Sequence, residues 1–110
     1  MKAPNAELAV VDPAKVRDYL LSPEHPVGRF KATFFGSIGY SRDDWQVLAA
    51  GLLEIIASED AELGDQSAFG DKYEVRGTLV GPAGRSATIV TVWIVLAGET
   101  APRFVTAFPG

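Results

Sequence analysis

Apolar residues recur with the spacing of helices in the first half of the chain and of strands in the second. Asp12-Pro13 signals a helix start, since Asp caps well and Pro suits the first helical position. Val16, Tyr19 and Leu20 follow at i, i+3, i+4, and Ser22-Pro23 ends the run. Pro26 opens a second helix whose stripe is Val27, Phe30, Phe34, Phe35 and Ile38, closed by Gly36 and Gly39. Ser41-Arg42-Asp43-Asp44 reads as a capping-box variant. Trp45, Leu48, Leu52, Ile55 and Ile56 then carry a third helix to about Ser58. After Gly70 the period falls to two: Tyr73, Val75 and Leu79 alternate with Lys72, Glu74, Arg76 and Thr78. Gly81-Pro82-Ala83-Gly84 is a turn, Arg85 to Leu96 a β-branched strand, and Arg103 to Phe108 a further strand. The pattern predicts an α+β fold. About three N-terminal helices pack on one face of a C-terminal antiparallel β-meander of three to four strands.

Composition supports one domain over residues 1–110, with a helical half at about 12–58, an acidic loop at 59–70 and the meander at 71–108. Apolar residues make up 47% of the chain, enough for a core. There is no cysteine, which removes thiol nucleophiles, disulfides and cysteine metal sites and fits a cytoplasmic setting. No signal peptide or membrane span is expected. The net charge of −4 is uneven: residues 41–70 set Arg42 against seven carboxylates, net −6, while the flanking thirds are each +1. An acidic chain disfavours nonspecific nucleic-acid binding but leaves room for one compact cationic site.

The turn at 81–84 suggests a hairpin with Val80 opposite Arg85. Tyr73 and Val75 would then face Val92 and Val90 on the core side. Lys72, Glu74 and Arg76 would meet Trp93, Thr91 and Ile89 on the polar side, where Trp93 could stack on a base. If Ile94 pairs with Phe104, Arg103 joins the polar face and Thr106 points inward; a slip of one residue reverses both. A polar face is also what a half-buried antiparallel sheet ordinarily presents.

Discrete catalytic motifs are absent. His25, the only histidine, precedes Pro26 at a helix start and reads equally as an acid–base group or a local cap. The carboxylates Asp60, Glu62 and Asp65 lack the order of a calcium loop. Gly81-Pro82-Ala83-Gly84-Arg85 lacks the strand–loop–helix setting of a phosphate loop. Phe34, Phe35 and Trp45 read as core.

Three blocks taken together resemble an uncharacterised bacterial domain family: Asp18 to Ala32, Lys72-Tyr73-Glu74-Val75-Arg76-Gly77, and Thr91 to Val95 with Pro102 to Pro109. That family occurs as a small stand-alone protein and at the C-terminus of polymorphic-toxin-like proteins. The layout is similar to the barnase–EndoU–colicin–RelE ribonuclease toxins. The resemblance implies a metal-free, cofactor-free toxin that cleaves RNA by 2′-hydroxyl attack and is held by an antitoxin or immunity protein encoded nearby. It casts His25, Glu74 and Arg76 as catalytic, and Lys31, Lys72, Thr91, Trp93, Arg103 and Thr106 as phosphate or RNA ligands. Two other readings stay open: a non-catalytic protein-interaction module, and a small-ligand domain with a pocket between the second helix and the sheet.

Overall fold

Asp12 opens the first helix. Its carboxylate accepts the Ala14 N–H at 2.9 Å, and Pro13 takes the first helical position. The structure, a computed structural model, describes residues 1–110. Helix α1 spans Pro13–Lys15 and continues as a wider π-helical turn over Val16–Leu20. Val16 and Leu20 are buried. Asp18 in that turn bridges Arg17 at 2.9 Å and Arg42 at 3.1 Å, tying α1 to the segment before the third helix. Hydrogen bonds from Arg17 and then Arg42 lower the Asp18 pKa to about 2. Stability from this bridge is therefore present above the unfolded carboxyl pKa and lost as pH falls through about 2. Asp18→Asn is expected to flatten the acid limb of a thermal-stability profile between about pH 4 and pH 2; an unchanged limb would contradict the bridge.

Helix α2 spans Gly28–Ser37 and helix α3 spans Trp45–Ser58. The expected capping box before α3 does not form. Asp44 makes no side-chain cap; residues 41–44 close a turn instead, with the Asp44 N–H on the Ser41 carbonyl. Leu48, Leu52, Ile55 and Ile56 are buried, and Gly77 of the sheet lets Ile55 come close: a Cβ there would lie 2.9 Å from Ile55 side-chain atoms.

Four strands follow: β1 (Ala61–Ser67), β2 (Gly70–Val80), β3 (Ser86–Leu96) and β4 (Arg103–Pro109). They form one antiparallel meander in that order. The stretch expected as an acidic loop is thus largely strand β1, with Ala61 opposite Val75 and Glu62 opposite Glu74. Backbone pairing to β2 holds it. Its side chains from Glu62 onward are exposed, so no apolar alternation marks it as a strand.

The β2–β3 register differs from the expected one by a single residue. The Gly81 N–H bonds the Arg85 carbonyl, so Arg85 belongs to the turn and Val80 faces Ser86. Tyr73 therefore pairs with Trp93, and Val75 with Thr91. One residue of slip moves every β3 side chain to the opposite face. Trp93 and Thr91, expected on the polar face, are both fully buried under the helices, where neither can meet RNA. The Trp93 indole donates to Thr91 Oγ1 at 2.8 Å, and the Thr91 hydroxyl donates to the Val75 carbonyl at 2.7 Å. Trp93 also packs edge-on against Phe104. Thr91→Val keeps the shape but leaves the buried Trp93 N–H without its acceptor. It is expected to cost about 1–3 kcal/mol, read from denaturant unfolding; a neutral result would contradict the buried pair.

Strand β4 carries an irregularity opposite Val92 and Trp93. Trp93 faces Phe104, Ile94 faces Arg103, and Val92 faces Thr106, leaving Val105 without a partner. The expected Ile94–Phe104 pairing does not occur. The extra residue puts both Arg103 and Thr106 on the outer face, rather than one on each side. Val10 adds a short parallel rung to the start of β4, accepting the Phe104 N–H. No helix is long and apolar enough to cross a membrane.

Candidate functional site

The outer face of the sheet, away from the core cluster, is laid out in rows across the strands. One row is Glu62, Glu74, Val92, Thr106; another is Arg76, Val90, Phe108; a third is Lys72, Ile94, Arg103. The aliphatic row of β3 separates two rims of different character. On the β1–β2 side, Asp60, Glu62, Glu74 and Arg76 line a shallow cleft. None of the four ion pairs in the chain involves Lys72, Glu74 or Arg76. On the β4 side the helices reach the sheet edge.

That contact is built from the backbone outward. Gly28 begins α2 directly against the π-helical turn: a Cβ at this position would lie 1.9 Å from the Tyr19 carbonyl oxygen. Only glycine permits this approach, and it brings α2 alongside Tyr19. His25 sits just before the helix. Its Nδ1 accepts the N–H groups of Val27 at 3.0 Å and Gly28 at 2.9 Å, and its ring meets Tyr19 edge-on at 5.1 Å. With Nδ1 held as an acceptor, the neutral ring carries its proton on Nε2. The cap makes His25 an anchor for the start of α2. Gly28→Ala is expected to push α2 off Tyr19 and lower the thermal midpoint; an unchanged midpoint would contradict the close approach.

Lys31 lies one turn further along α2. Its Nζ donates to the Tyr19 hydroxyl at 2.9 Å and to Thr106 Oγ1, and the two hydroxyls are 3.1 Å apart. The ammonium also lies 5.1 Å from the centre of the Tyr19 ring and 6.0 Å from that of Phe108. It has no carboxylate partner. Burial raises the Tyr19 pKa and is the largest single influence. The hydrogen bonds from Lys31 and Thr106, with the Lys31 charge, together outweigh it, so the phenol lies below its ordinary value. The result is a closed triangle of ammonium, phenol and alcohol beside an outer-face strand, with an imidazole at its back.

Of the residues proposed from the sequence, the structure brings together Lys31, Thr106 and His25. Glu74 shares the row of Thr106 but stands two strand spacings away, about 10 Å. Lys72 and Arg76 lie on that same distant strand. Arg103 forms a two-pronged pair with Glu99 at 2.7 and 3.0 Å, beside Val10 at the other end of β4. Tyr19 was missed because its position at i+3 from Val16 reads as core. The wider π turn at Val16–Leu20, which no residue type signals, sets it at the site instead. No three His, Asp or Glu side chains converge as a metal-ligand set. A cleft of about 430 Å³ lies between α3 and β2 and is lined by Tyr40, Val47, Gly51 and Leu79. It does not touch α2.

No curated protein matches the chain. Among solved structures, it is similar to a chain of a contact-dependent growth inhibition toxin–immunity protein complex from Klebsiella pneumoniae 342. The TM-score is 0.71 at 18% identity, covering 94% of this chain and 95% of that one. At that identity the likeness is one of fold, reproducing the helices-then-meander arrangement along nearly the whole length. The model of a domain of unknown function, DUF6883, matches residues 2–110, and the chain belongs to that family.

Proposed function

We propose that the chain is a ribonuclease-type toxin domain, with its site at the Lys31–Tyr19–Thr106 triangle. The observation that carries this reading is the unpaired Lys31 ammonium, held by two hydroxyls on the open face of the sheet. A phosphodiester seated there would have its negative charge met by Lys31 and a hydrogen bond from Thr106. The Tyr19 phenolate would take the proton of the 2′-hydroxyl. The 2′-oxygen then bonds to phosphorus as the P–O5′ bond breaks, and Lys31 gives a proton to the departing 5′-oxygen. Return of the proton from Tyr19 to Lys31 resets the pair. The products are a 2′,3′-cyclic phosphate and a 5′-hydroxyl. His25 anchors the start of α2 beside Tyr19. The fold likeness to a chain of a toxin–immunity complex supports the toxin reading and suggests an immunity protein as partner.

Expression without any partner is expected to arrest bacterial growth, and Lys31→Ala to relieve the arrest. Growth unaffected by the wild-type chain at matched protein levels would contradict the reading. Arg76→Ala is expected to stay toxic, because Arg76 lies two strands from the triangle.

A second reading draws on the opposite edge. Strand β1 is unpaired on one side, and Leu63 and Phe69 beside it are 54% and 80% exposed. A protein partner could add a strand there. A stable complex whose released chain leaves RNA intact would favour that reading over catalysis.

A further inference from the structure

The pattern of α2 predicts that Val27, Phe30, Phe34, Phe35 and Ile38 all face the core, yet the structure buries only the last two of these fully. Phe30 is 69% exposed and Val27 is 58% exposed, one helical turn apart on the same side of α2. An isolated exposed apolar residue needs no explanation. Phe30, however, lies between two cations, and neither takes part in an ion pair. The Arg29 guanidinium stands 4.8 Å over the Phe30 ring. Lys31, the next residue, holds the triangle with Tyr19 and Thr106. The exposed aromatic at the β1–β2 turn, Phe69, has Asp71 two residues on and Asp65 four residues back, so its sequence neighbourhood is acidic. In a chain of net charge −4, the exposed ring on α2 is placed to receive an anionic ligand, as is the partly exposed Phe108 ring 6.0 Å from the Lys31 ammonium.

A ligand that matches an exposed ring, a stacked guanidinium and a nearby ammonium must offer a flat π-face and a negative charge a short step away. A nucleotide does so. A base can lie on a Phe ring without regard to sequence, and arginine adds a cation–π contribution. The positions follow helix geometry. Val27 directly precedes α2, and Phe30 and Lys31 lie three and four residues on from it, so each neighbours Val27 while their own side chains leave the helix on adjoining flanks. A strand whose phosphate sits at Lys31 would lead its adjoining nucleotide along α2 onto Phe30.

We propose that Phe30, with Arg29 and the Val27 side chain, is a stacking platform that holds a base of single-stranded RNA next to the phosphate seated at Lys31. This rests on the ribonuclease reading and adds to it a substrate class: unpaired RNA, engaged by its base faces. Duplex RNA keeps those faces stacked and would be a poor substrate.

The test uses a fluorescein-labelled single-stranded oligonucleotide carrying 2′-O-methyl groups throughout, which cannot be cleaved through the 2′-oxygen. Fluorescence anisotropy is read for wild type, Phe30→Ala, Phe30→Trp and Arg29→Ala, with thermal midpoints measured in parallel. Because Phe30 is exposed, Phe30→Ala is expected to keep the midpoint and to weaken binding roughly ten- to a hundredfold. Phe30→Trp is expected to keep the affinity, with indole fluorescence quenched on binding, and Arg29→Ala to weaken binding. Phe30→Ala binding like wild type overturns the platform. So does equal affinity for a duplex of the same sequence. A patch whose loss frees a bound protein partner but leaves RNA affinity unchanged overturns it in favour of a protein-docking surface. Cleavage of unmodified RNA is followed alongside. If wild type cleaves and Phe30→Ala has the same KM, the platform fails while the ribonuclease reading stands; if wild type cleaves nothing, that reading fails first.

Discussion

Lys31→Ala is expected to lower RNA cleavage by about 10²–10³-fold while leaving the fold intact, the magnitude associated with removing one preorganised donor to a developing charge. Lys31 is partly buried on the flank of α2 that faces the sheet, reaching across to Thr106 and Tyr19. Its loss empties no core position, so the thermal midpoint should move little. The variant removes the only ammonium in the triangle and with it the proposed proton donor to the 5′-oxygen. Lys31→Arg is expected to restore only part of the rate. The planar guanidinium carries the charge but does not reproduce a compact three-way donor between two hydroxyls 3.1 Å apart. Full activity in Lys31→Ala, with matched stability, would remove the triangle from the mechanism.

Tyr19→Phe is expected to cost about 10²–10⁴-fold, the range for loss of a positioned acid–base group. A purely structural Tyr19 would also lower activity if its loss loosened α2, so the deciding readout is the pH profile. In the wild type, kcat/KM is expected to rise with pH as the phenol gives up its proton. That rise sits below the ordinary tyrosine value of about 10, because Lys31 and Thr106 together outweigh the effect of burial. Lys31→Ala removes a hydrogen bond and a positive charge that favour the phenolate, so the residual activity should show its rising limb at higher pH. Tyr19→Phe should lose the limb altogether. A limb that survives in Tyr19→Phe would assign it to another group and leave Tyr19 a positioning role.

The helices and the meander could be read in the sequence because both rest on period. The β-branched residues of β3 and the 3.6-residue repeat of α3 are strong signals, and the α+β class follows from them. The errors fell where side-chain pattern carries no information. Strand β1 is held by backbone pairing with exposed, acidic side chains, so it read as a loop. The β2–β3 register turned on whether Arg85 belongs to the turn or the strand, and one residue carried Thr91 and Trp93 from the proposed site into the core. The irregularity at Val105 was equally invisible, and it alone puts Thr106 on the face where Lys31 reaches it.

The candidate site was legible in its ingredients but not in its assembly. Lys31, Thr106 and His25 stood among the proposed residues. The cluster itself depends on Gly28 allowing α2 to touch the Tyr19 backbone, in the π turn that carries Tyr19. The charged strand Lys72-Tyr73-Glu74-Val75-Arg76 drew notice because three charges share a face. Its charges take part in no ion pair, and its backbone lies two strands from the triangle.

The central claim is that the Lys31–Tyr19–Thr106 triangle cleaves RNA through the 2′-hydroxyl. Its most direct test is the chemistry of the ends left when purified chain is incubated with single-stranded RNA. Wild type is predicted to leave 5′-hydroxyl and 2′,3′-cyclic phosphate ends, with neither formed by Lys31→Ala or on 2′-O-methyl RNA. Intact RNA with wild type, or equal cleavage by Lys31→Ala, would contradict it.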